Sequence, residues 1–566
     1  MTSGSAVTGV ARAAVLAVLC AGVACSADPQ ATARAHEARG DAYRAERKLK
    51  EAIIEYRNAV KSVPDSADVH HKLAQAYEES GDHVAAYASY ARAGDLDPGN
   101  LDAQLKAGTL LLVAGEYDAA RIRAELAVKA DPRSAPAQIL LGNALAGLNE
   151  STRALRQIEQ AISLDPGYAP AWTSLGAVRF HAGQREVAGE AFERAVALDP
   201  QSIDARVALA NYHWASGDTA AAESALTDAL AIDPGHASVH RALALLYLTT
   251  RRAERAEPHF KALSGEPGGQ LALADYYSGI GRRDAARALL ERIAADGARG
   301  ETRTARLRLA ALTYVSGQRE AGQREVDALI AEQPRDLEAR LVKARMLLQD
   351  GQADEAASHA REAVRIDSSS ASAHYMVALA AIAREDLHEA ERQLQRVVDI
   401  NPRAAAAQMH LARVQLVKGD AGRALSAAEA AARADPASPV ATVLMARSLR
   451  ARGDLVRAER ELSARLARQP NAPGLHTEMG WVALSRRDAS GARKSFEHAL
   501  RLAPASLEAR TGLVTVDLAE RNVDAARERI ARWRKAAPED PDLRILSARV
   551  EIAGGRPDIA EAALRD

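Results

Sequence analysis

Apolar and polar positions alternate along this chain at spacings of three and four, and from residue 33 onward the whole pattern recurs about every 34 residues. One column stays small throughout: Ala52, Ala86, Ala120, Ala154, Ala188, Ala222, Ala256, Ala286, Gly322, Ala356, Ala390, Ala424, Ala458, Ala492, Ala526 and Ala560. A position that admits only Ala or Gly in sixteen successive units marks two helix backbones in close approach, where a longer side chain would force them apart. Twelve residues before each member runs a second small column, from Gly40, Ala74, Gly108, Gly142 and Gly176 onward to Gly480 and Ala548, broken by Val514. Four residues after the first column stands a larger apolar one, with Tyr56, Tyr90, Ile158, Phe192, Leu226, Phe260, Leu394, Leu462, Phe496 and Ile530. Such spacings keep each set on one helix face, so every unit predicts two amphipathic helices.

The punctuation agrees with this reading. Gly81-Asp82, Gly217-Asp218, Gly419-Asp420 and Gly453-Asp454 fall between the two halves, where glycine ends one helix and Asp caps the next. Prolines at 64, 98, 132, 166, 200 and 234, and again at 402, 436, 470, 504 and 538, close the second helix, because proline disfavours helical geometry in the residue before it. Between these runs the register slips: repeat 8 begins four residues early and repeat 9 two residues late. Pro258 is expected inside the second helix of repeat 7, bending or breaking it, with Pro267-Gly268-Gly269 just after it.

Repeat 5 carries the pattern most fully, in Trp172, Leu175, Gly176, Ala188, Phe192, Ala195 and Pro200. With the period, these residues resemble the tetratricopeptide repeat family over residues 33–566. The resemblance implies an all-α fold, a right-handed superhelical solenoid of about 16 helix-turn-helix repeats. Residues 33–257 are then expected to hold repeats 1–7, 258–305 an irregular joint that includes repeat 8, and 306–566 repeats 9–16, the last incomplete. Because Asp566 falls midway through a second helix, the natural product is expected to continue, and Ile559, Ala563 and Leu564 are expected to be partly open.

Composition narrows the functional classes. The 566 residues are too many for one compact core, which suits an array that grows in one dimension. Lys plus Arg (74) balances Asp plus Glu (75), so no global field draws the chain to nucleic acid. At the N-terminus, Arg12 precedes an apolar run from Ala13 to Ala24, which reads as an export signal. The only cysteines are Cys20 within that run and Cys25 just after it. Gly22-Val23-Ala24-Cys25 resembles a bacterial lipoprotein box, with residues 1–24 removed and Cys25 acylated as the first mature residue. The second reading is cleavage after Ala24 or Ala27 to give a soluble secreted protein. The first implies a lipid-anchored protein of the bacterial periplasm or outer membrane.

No catalytic, cofactor or metal signature emerges. His236 and His240 stand four apart, but His236 falls at a helix start and no third ligand accompanies them. Gly279 and Gly281 begin a Gly-x-Gly whose third required position is Asp284, in a turn with no preceding strand. In the family resembled, first helices line a concave groove, and peptide or protein ligands contact the residue after the earlier small column. Here that position carries Asn143 and Asn211 in the first half, and Arg345, Arg413, Arg447, Trp481 and Arg549 in the second. The first half offers amides for backbone hydrogen bonds. The second offers guanidinium groups among Leu416, Leu484 and Leu518, which suits an acidic or amphipathic extended segment. Ile139 and Val207 precede the two asparagines where the family's chaperone-tail clamp needs polar partners, so that clamp is not expected.

The Cys25 start and the run Glu51 to Ala59 also resemble the bacterial tetratricopeptide lipoproteins that accompany exopolysaccharide secretion. The leading expectation is therefore a non-catalytic, membrane-tethered scaffold for protein partners. The alternative is the recognition arm of a longer enzyme, such as a glycosyltransferase, with its catalytic part beyond residue 566. A stop codon after Asp566 separates the two.

Overall fold

A computed structural model describes residues 28–297 and 299–565. The expected signal segment 1–24, Cys20, the acylation site Cys25 and Asp566 lie outside the described residues. Among the described residues there are helices and connecting turns and no strand. The chain divides into two compact units, one ending at Tyr276 and the other beginning at Tyr277.

In the first unit, helix pairs run from Pro29–Ala45 with Leu49–Ser62 through Ile203–Ala215 with Thr219–Ile232. The opening helix starts at Pro29, four residues before the repeat's first position at 33, with Asp28 capping it. In the second unit, pairs run from Arg299–Val315 with Arg319–Glu332 through Pro541–Ala553 with Pro557–Arg565. The helix Arg299–Val315 therefore takes in the last residues of the segment 258–305.

One left-handed residue per repeat turns the first helix into the second. Ten of these sixteen positions are glycine, such as Gly81 (φ 80°) and Gly419 (φ 80°), and six carry a side chain, among them Arg47, Asn149 and Glu385. The second helix is then capped as the Gly-Asp pairs predict: Asp82 Oδ1 accepts from the Ala85 amide at 3.0 Å and Asp218 Oδ1 from the Ala221 amide at 2.9 Å. At the far end, Asp97 Oδ1 accepts from the Gly99 amide at 3.0 Å, and Asp165 does the same for Gly167 at 3.0 Å, turning the chain across the proline between them.

The small column is the seam of the fold. Ala52, Ala154, Ala188, Ala356, Ala424 and Ala526 are 0% exposed. The larger column closes over the earlier small one: a Cβ added at Gly40 would lie 2.6 Å from the Tyr56 ring, and at Gly480 2.6 Å from Phe496. Tyr56, Tyr90, Ile158 and Phe496 are fully buried, each worth about 1.5–3 kcal/mol against exposure. Within each unit successive first helices pack on one another, as Ala135–Gly147 does on Ala169–His181 and Pro439–Ala451 on Pro473–Ser485. They form one continuous face.

In repeat 7 the second helix is broken, as expected, but Pro258 does not lie in a helix interior. No long second helix forms for the proline to interrupt. A 3-10 turn (Ala253–Ala256), a short helix (Glu257–Ala262) and another 3-10 turn (Leu263–Gly265) replace it. Pro258 sits in the first turn of the short helix, where its missing N–H costs no helical hydrogen bond. Phe260 is in consequence only half-buried, unlike its counterparts Tyr56 and Phe496.

Candidate partner-binding face

The first-helix faces carry the sequence candidates, and the structure sorts them into open and engaged. In the first unit, Asn143 is half-buried and Asn211 exposed. In the second, Arg345, Arg413 and Arg549 are exposed and form no hydrogen bond or ion pair with any described residue. Arg447 is different: its Nε donates to Glu478 Oε2 at 3.1 Å and its other arm pairs with Glu508. Burial works against that charge, but the two carboxylates outweigh it and hold the guanidinium's pKa above its ordinary value. Trp481 is half-buried, edge-on to Phe496 with ring centres 5.2 Å apart. Arg447 and Trp481 are thus built into the scaffold.

What decides between open and engaged is a residue on the next repeat. Adjacent first helices lie side by side in register at 34 residues, so a side chain meets the one 31 residues later, a turn short of its own equivalent. Asp41 and Lys72 pair in this way at 2.8 Å, as do Arg447 and Glu478. One turn further along the helix the offset becomes 28: Glu78 meets Lys106 at 3.0 Å and Arg450 meets Glu478 at 2.8 Å. Thirty-one residues after Arg345 stands Met376, and after Arg413, Leu444, both buried and neither able to answer a charge. The groove position taken by itself does not separate Arg447 from Arg413. The signal was the acid at the 31-residue offset.

The structure adds residues to the second unit's face that the sequence reading passed over. Tyr375 and His410 meet edge-to-face with centroids 5.8 Å apart, beside Arg413. Burial first, and then the Arg413 charge, lowers the pKa of His410, which favours the neutral ring. Burial raises the pKa of the Tyr375 phenol, with Arg413 opposing. Val417, one turn beyond Arg413, is 72% exposed. A cation, a neutral imidazole, a phenol and an exposed valine together suit a partner segment that carries both a carboxylate and apolar side chains. Tyr375 stands where neighbouring repeats carry Leu341, Met409 and Val443, and that change of residue type was its only trace in the sequence.

Three of the histidines hold turns. His70, His240 and His476 each bring Nε2 to the carbonyl of the proline six residues earlier, at 2.9, 2.9 and 2.7 Å. Trp172 Nε1 and the Arg340 guanidinium donate to the same carbonyl in their own repeats. His240 meets His259 through their Nδ1 atoms at 2.9 Å, while His236 stands at the N-cap position without a side-chain cap and contacts Ser238 Oγ at 3.0 Å. Among the described residues, no group of three or more His, Cys, Asp or Glu is placed to hold a metal ion. No described helix is long and apolar enough to cross a membrane.

Comparison with known proteins agrees with the repeat geometry. A model described as TPR repeat matches residues 40–81. Two models of the tetratricopeptide repeat match residues 78–144, 179–246, 213–266 and 483–550 in one case, and 139–203, 312–371 and 375–439 in the other. No curated protein matches the chain. Among solved structures, the chain is similar to one in the APC/C hetero-tetramer Cut9-Hcn1, at 16% identity over 88% of this chain and 92% of that one, with a TM-score of 0.45. It is similar to yeast Tom70 at 15% identity over 76% and 95%, TM-score 0.35. It is also similar to a thermophilic TPR protein of Thermus thermophilus, at 22% identity over 32% and 100%, TM-score 0.31. At these levels no partner or activity carries over.

Proposed function

Because the chain belongs to the tetratricopeptide repeat family, we propose that it is a non-catalytic scaffold, exported and held to the bacterial envelope through acylated Cys25, that gathers partner proteins by extended segments laid along its first-helix faces. The observation that carries the binding mode is the pair Arg345 and Arg413, open to solvent because Met376 and Leu444 leave them unanswered. A guanidinium beside exposed apolar side chains selects an acidic, amphipathic segment. Asn143 and Asn211 serve the first unit as backbone hydrogen-bonding groups. The lipoprotein-like start supports an envelope assembly, such as one that secretes exopolysaccharide, as the setting.

Affinity purification from native membranes tests the binding mode. Partners recovered with the wild-type chain should be lost with Arg345, Arg413 and Arg549 all changed to Glu, and their full recovery would overturn it. Labelled-lipid incorporation tests the anchor: it should vanish in Cys25→Ala, and labelling that persists there would place the anchor elsewhere.

A further inference from the structure

The opposite, second-helix side of repeats 12–15 holds two clefts of the same construction. The first, about 530 Å³, opens between the helices Ala421–Ala434 and Leu455–Leu466, with Met445 of the intervening first helix as its floor. The second, about 400 Å³, opens between Ala489–Leu502 and Val523–Ala536, with Leu513 as its floor. Met445 and Leu513 occupy the same repeat position, two repeats apart. Each cleft has one exposed arginine on each side: Arg433 and Arg468 in the first, Arg501 and Arg532 in the second.

Three of these four guanidiniums, on Arg433, Arg468 and Arg532, have no partner among the described residues, and Arg501 only donates to His498 Nδ1 at 3.0 Å. The other wall arginines are committed. Arg457 pairs with Glu429 at 2.6 Å, Arg465 donates to Thr442 Oγ1 at 3.2 Å, and Arg529 pairs with Asp517 at 2.9 Å. Four arginines face two glutamates in the first cleft, and three face Glu497 in the second, so both keep a positive excess.

Cations at helix C-termini are stabilised by the helix dipole, but that does not account for this set. The position of Arg433 and Arg501 holds Asp95, Lys129, Ser163, Ala197 and Ala231 in repeats 2–6, although every one of those helices has the same dipole. Arg468 stands where repeats 2–6 carry Leu96, Ala130, Leu164, Leu198 and Ile232. The helix before it stops at Leu466, so the side chain projects where an apolar residue packs elsewhere.

The geometry points to a second docking surface on repeats 12–15, in which each arginine pair grips a carboxylate of an acidic protein segment while an apolar side chain of that segment rests on Met445 or Leu513. Paired guanidiniums match a planar carboxylate. The wall glutamates and apolar floors suit carboxylates interspersed with leucine-like residues and oppose a dense polyanion such as nucleic acid, which carries a charge every few ångströms.

This surface is separate from the first-helix face, and the test keeps them apart by working in the full-length chain with Arg345, Arg413 and Arg549 already changed to Glu. The probe is a fluorescent 12-residue peptide repeating Glu-Glu-Leu, with a Gln-Gln-Leu version and a 20-nucleotide single-stranded DNA as comparisons. The Glu peptide should bind this background, weaken as salt rises, and lose at least tenfold in affinity when Arg433, Arg468, Arg501 and Arg532 are changed to Gln. The Gln peptide should not bind. Circular dichroism of the Gln variant should match its parent, because three of these side chains have no partner among the described residues and Arg501 makes only its surface contact with His498. Absence of Glu-peptide binding, an affinity unchanged within twofold in the Gln variant, or tighter binding of the DNA would each overturn the proposal.

Discussion

Asp41 in the first unit and Arg413 in the second occupy equivalent positions on first helices, yet Asp41 faces Lys72 at 2.8 Å and Arg413 faces buried Leu444. The first unit's opening repeats close their own charges across each seam: Lys72 holds both Asp41 and Glu37, Arg44 holds Glu79 and Gln75, and Lys106 holds Glu78. The second unit mixes engaged and open cations, with Arg447 tied to Glu478 and Arg345 and Arg413 free. A charged residue at a groove position is thus available for recognition only when the neighbouring repeat withholds a counter-charge. The same backbone supplies a locked ladder in one place and an open cationic face in another.

The widest separation between the two kinds of contact should come from Glu478. It is 0% exposed and answers two guanidiniums, so Glu478→Ala should cost about 3 kcal/mol, the lower end for a broken buried pair because Arg447 and Arg450 can still turn toward water. Asp41 is half-exposed, and although it also accepts from the Tyr56 hydroxyl at 2.7 Å, Asp41→Ala should cost no more than about 1–2 kcal/mol. Urea unfolding, with hydrogen exchange to locate the loss, reads both. Equal costs would break the comparison.

Removing only the charge sharpens it. Glu478→Gln keeps the shape and leaves Arg447 held only by the exposed Glu508, which a ligand carboxylate can displace, so a Glu-containing amphipathic peptide should bind the second unit's face about threefold to tenfold more tightly. A further Arg447→Ala should erase the gain. No gain in Glu478→Gln would mean that the 31-residue offset does not govern availability.

Backbone changes should not distinguish the units. Arg47 in the first (φ 58°) and Glu385 in the second (φ 59°) both hold the left-handed turn, and replacing either with Gly should stabilise by up to about 1 kcal/mol in thermal unfolding. A gain in only one unit would show that the scaffolds themselves differ.

The smallest effect expected is with pH. Burial lowers the pKa of His259 in the first unit and of His359 and His410 in the second. For a histidine whose folded pKa is depressed, the unfolded chain binds more protons just below the ordinary value of about 6.5. Stability from these groups is therefore present above that pH and declines as the solution is acidified through it. His359, whose Nδ1 is buried without a hydrogen-bond partner, should contribute most clearly, and His359→Gln should flatten the decline in a series of thermal melts from pH 7 to pH 5.

The fold was legible because its determinants are local and repeated. The buried Ala column, the Gly-Asp turns and the Asp-Pro closures all follow from spacing and residue type, and one pattern recurs sixteen times with a single slip around repeats 8 and 9. Repeat 7 was legible only as an irregularity: Pro258 announced a disturbance, but the replacement of a helix by two 3-10 turns around Glu257–Ala262 depends on tertiary closure. The proposed docking face was half legible. Position along the repeat picked out Arg345, Arg413 and Arg447 alike, whereas their availability is a property of pairs on different repeats, which Met376, Leu444 and Glu478 decide. Tyr375 and His410 escaped for the same reason, since neither is notable until the packing of successive helices sets one ring against the other.

Site-specific photo-crosslinking tests most directly whether partners dock on the first-helix face. A benzophenone side chain at Val417, 72% exposed beside Arg413, is compared with one at Ile54, 57% exposed on a second helix of the first unit. A partner adduct should form from Val417 and disappear when Arg345 and Arg413 are changed to Glu, and none should form from Ile54. An adduct from Ile54 with none from Val417 would contradict docking on the first-helix face.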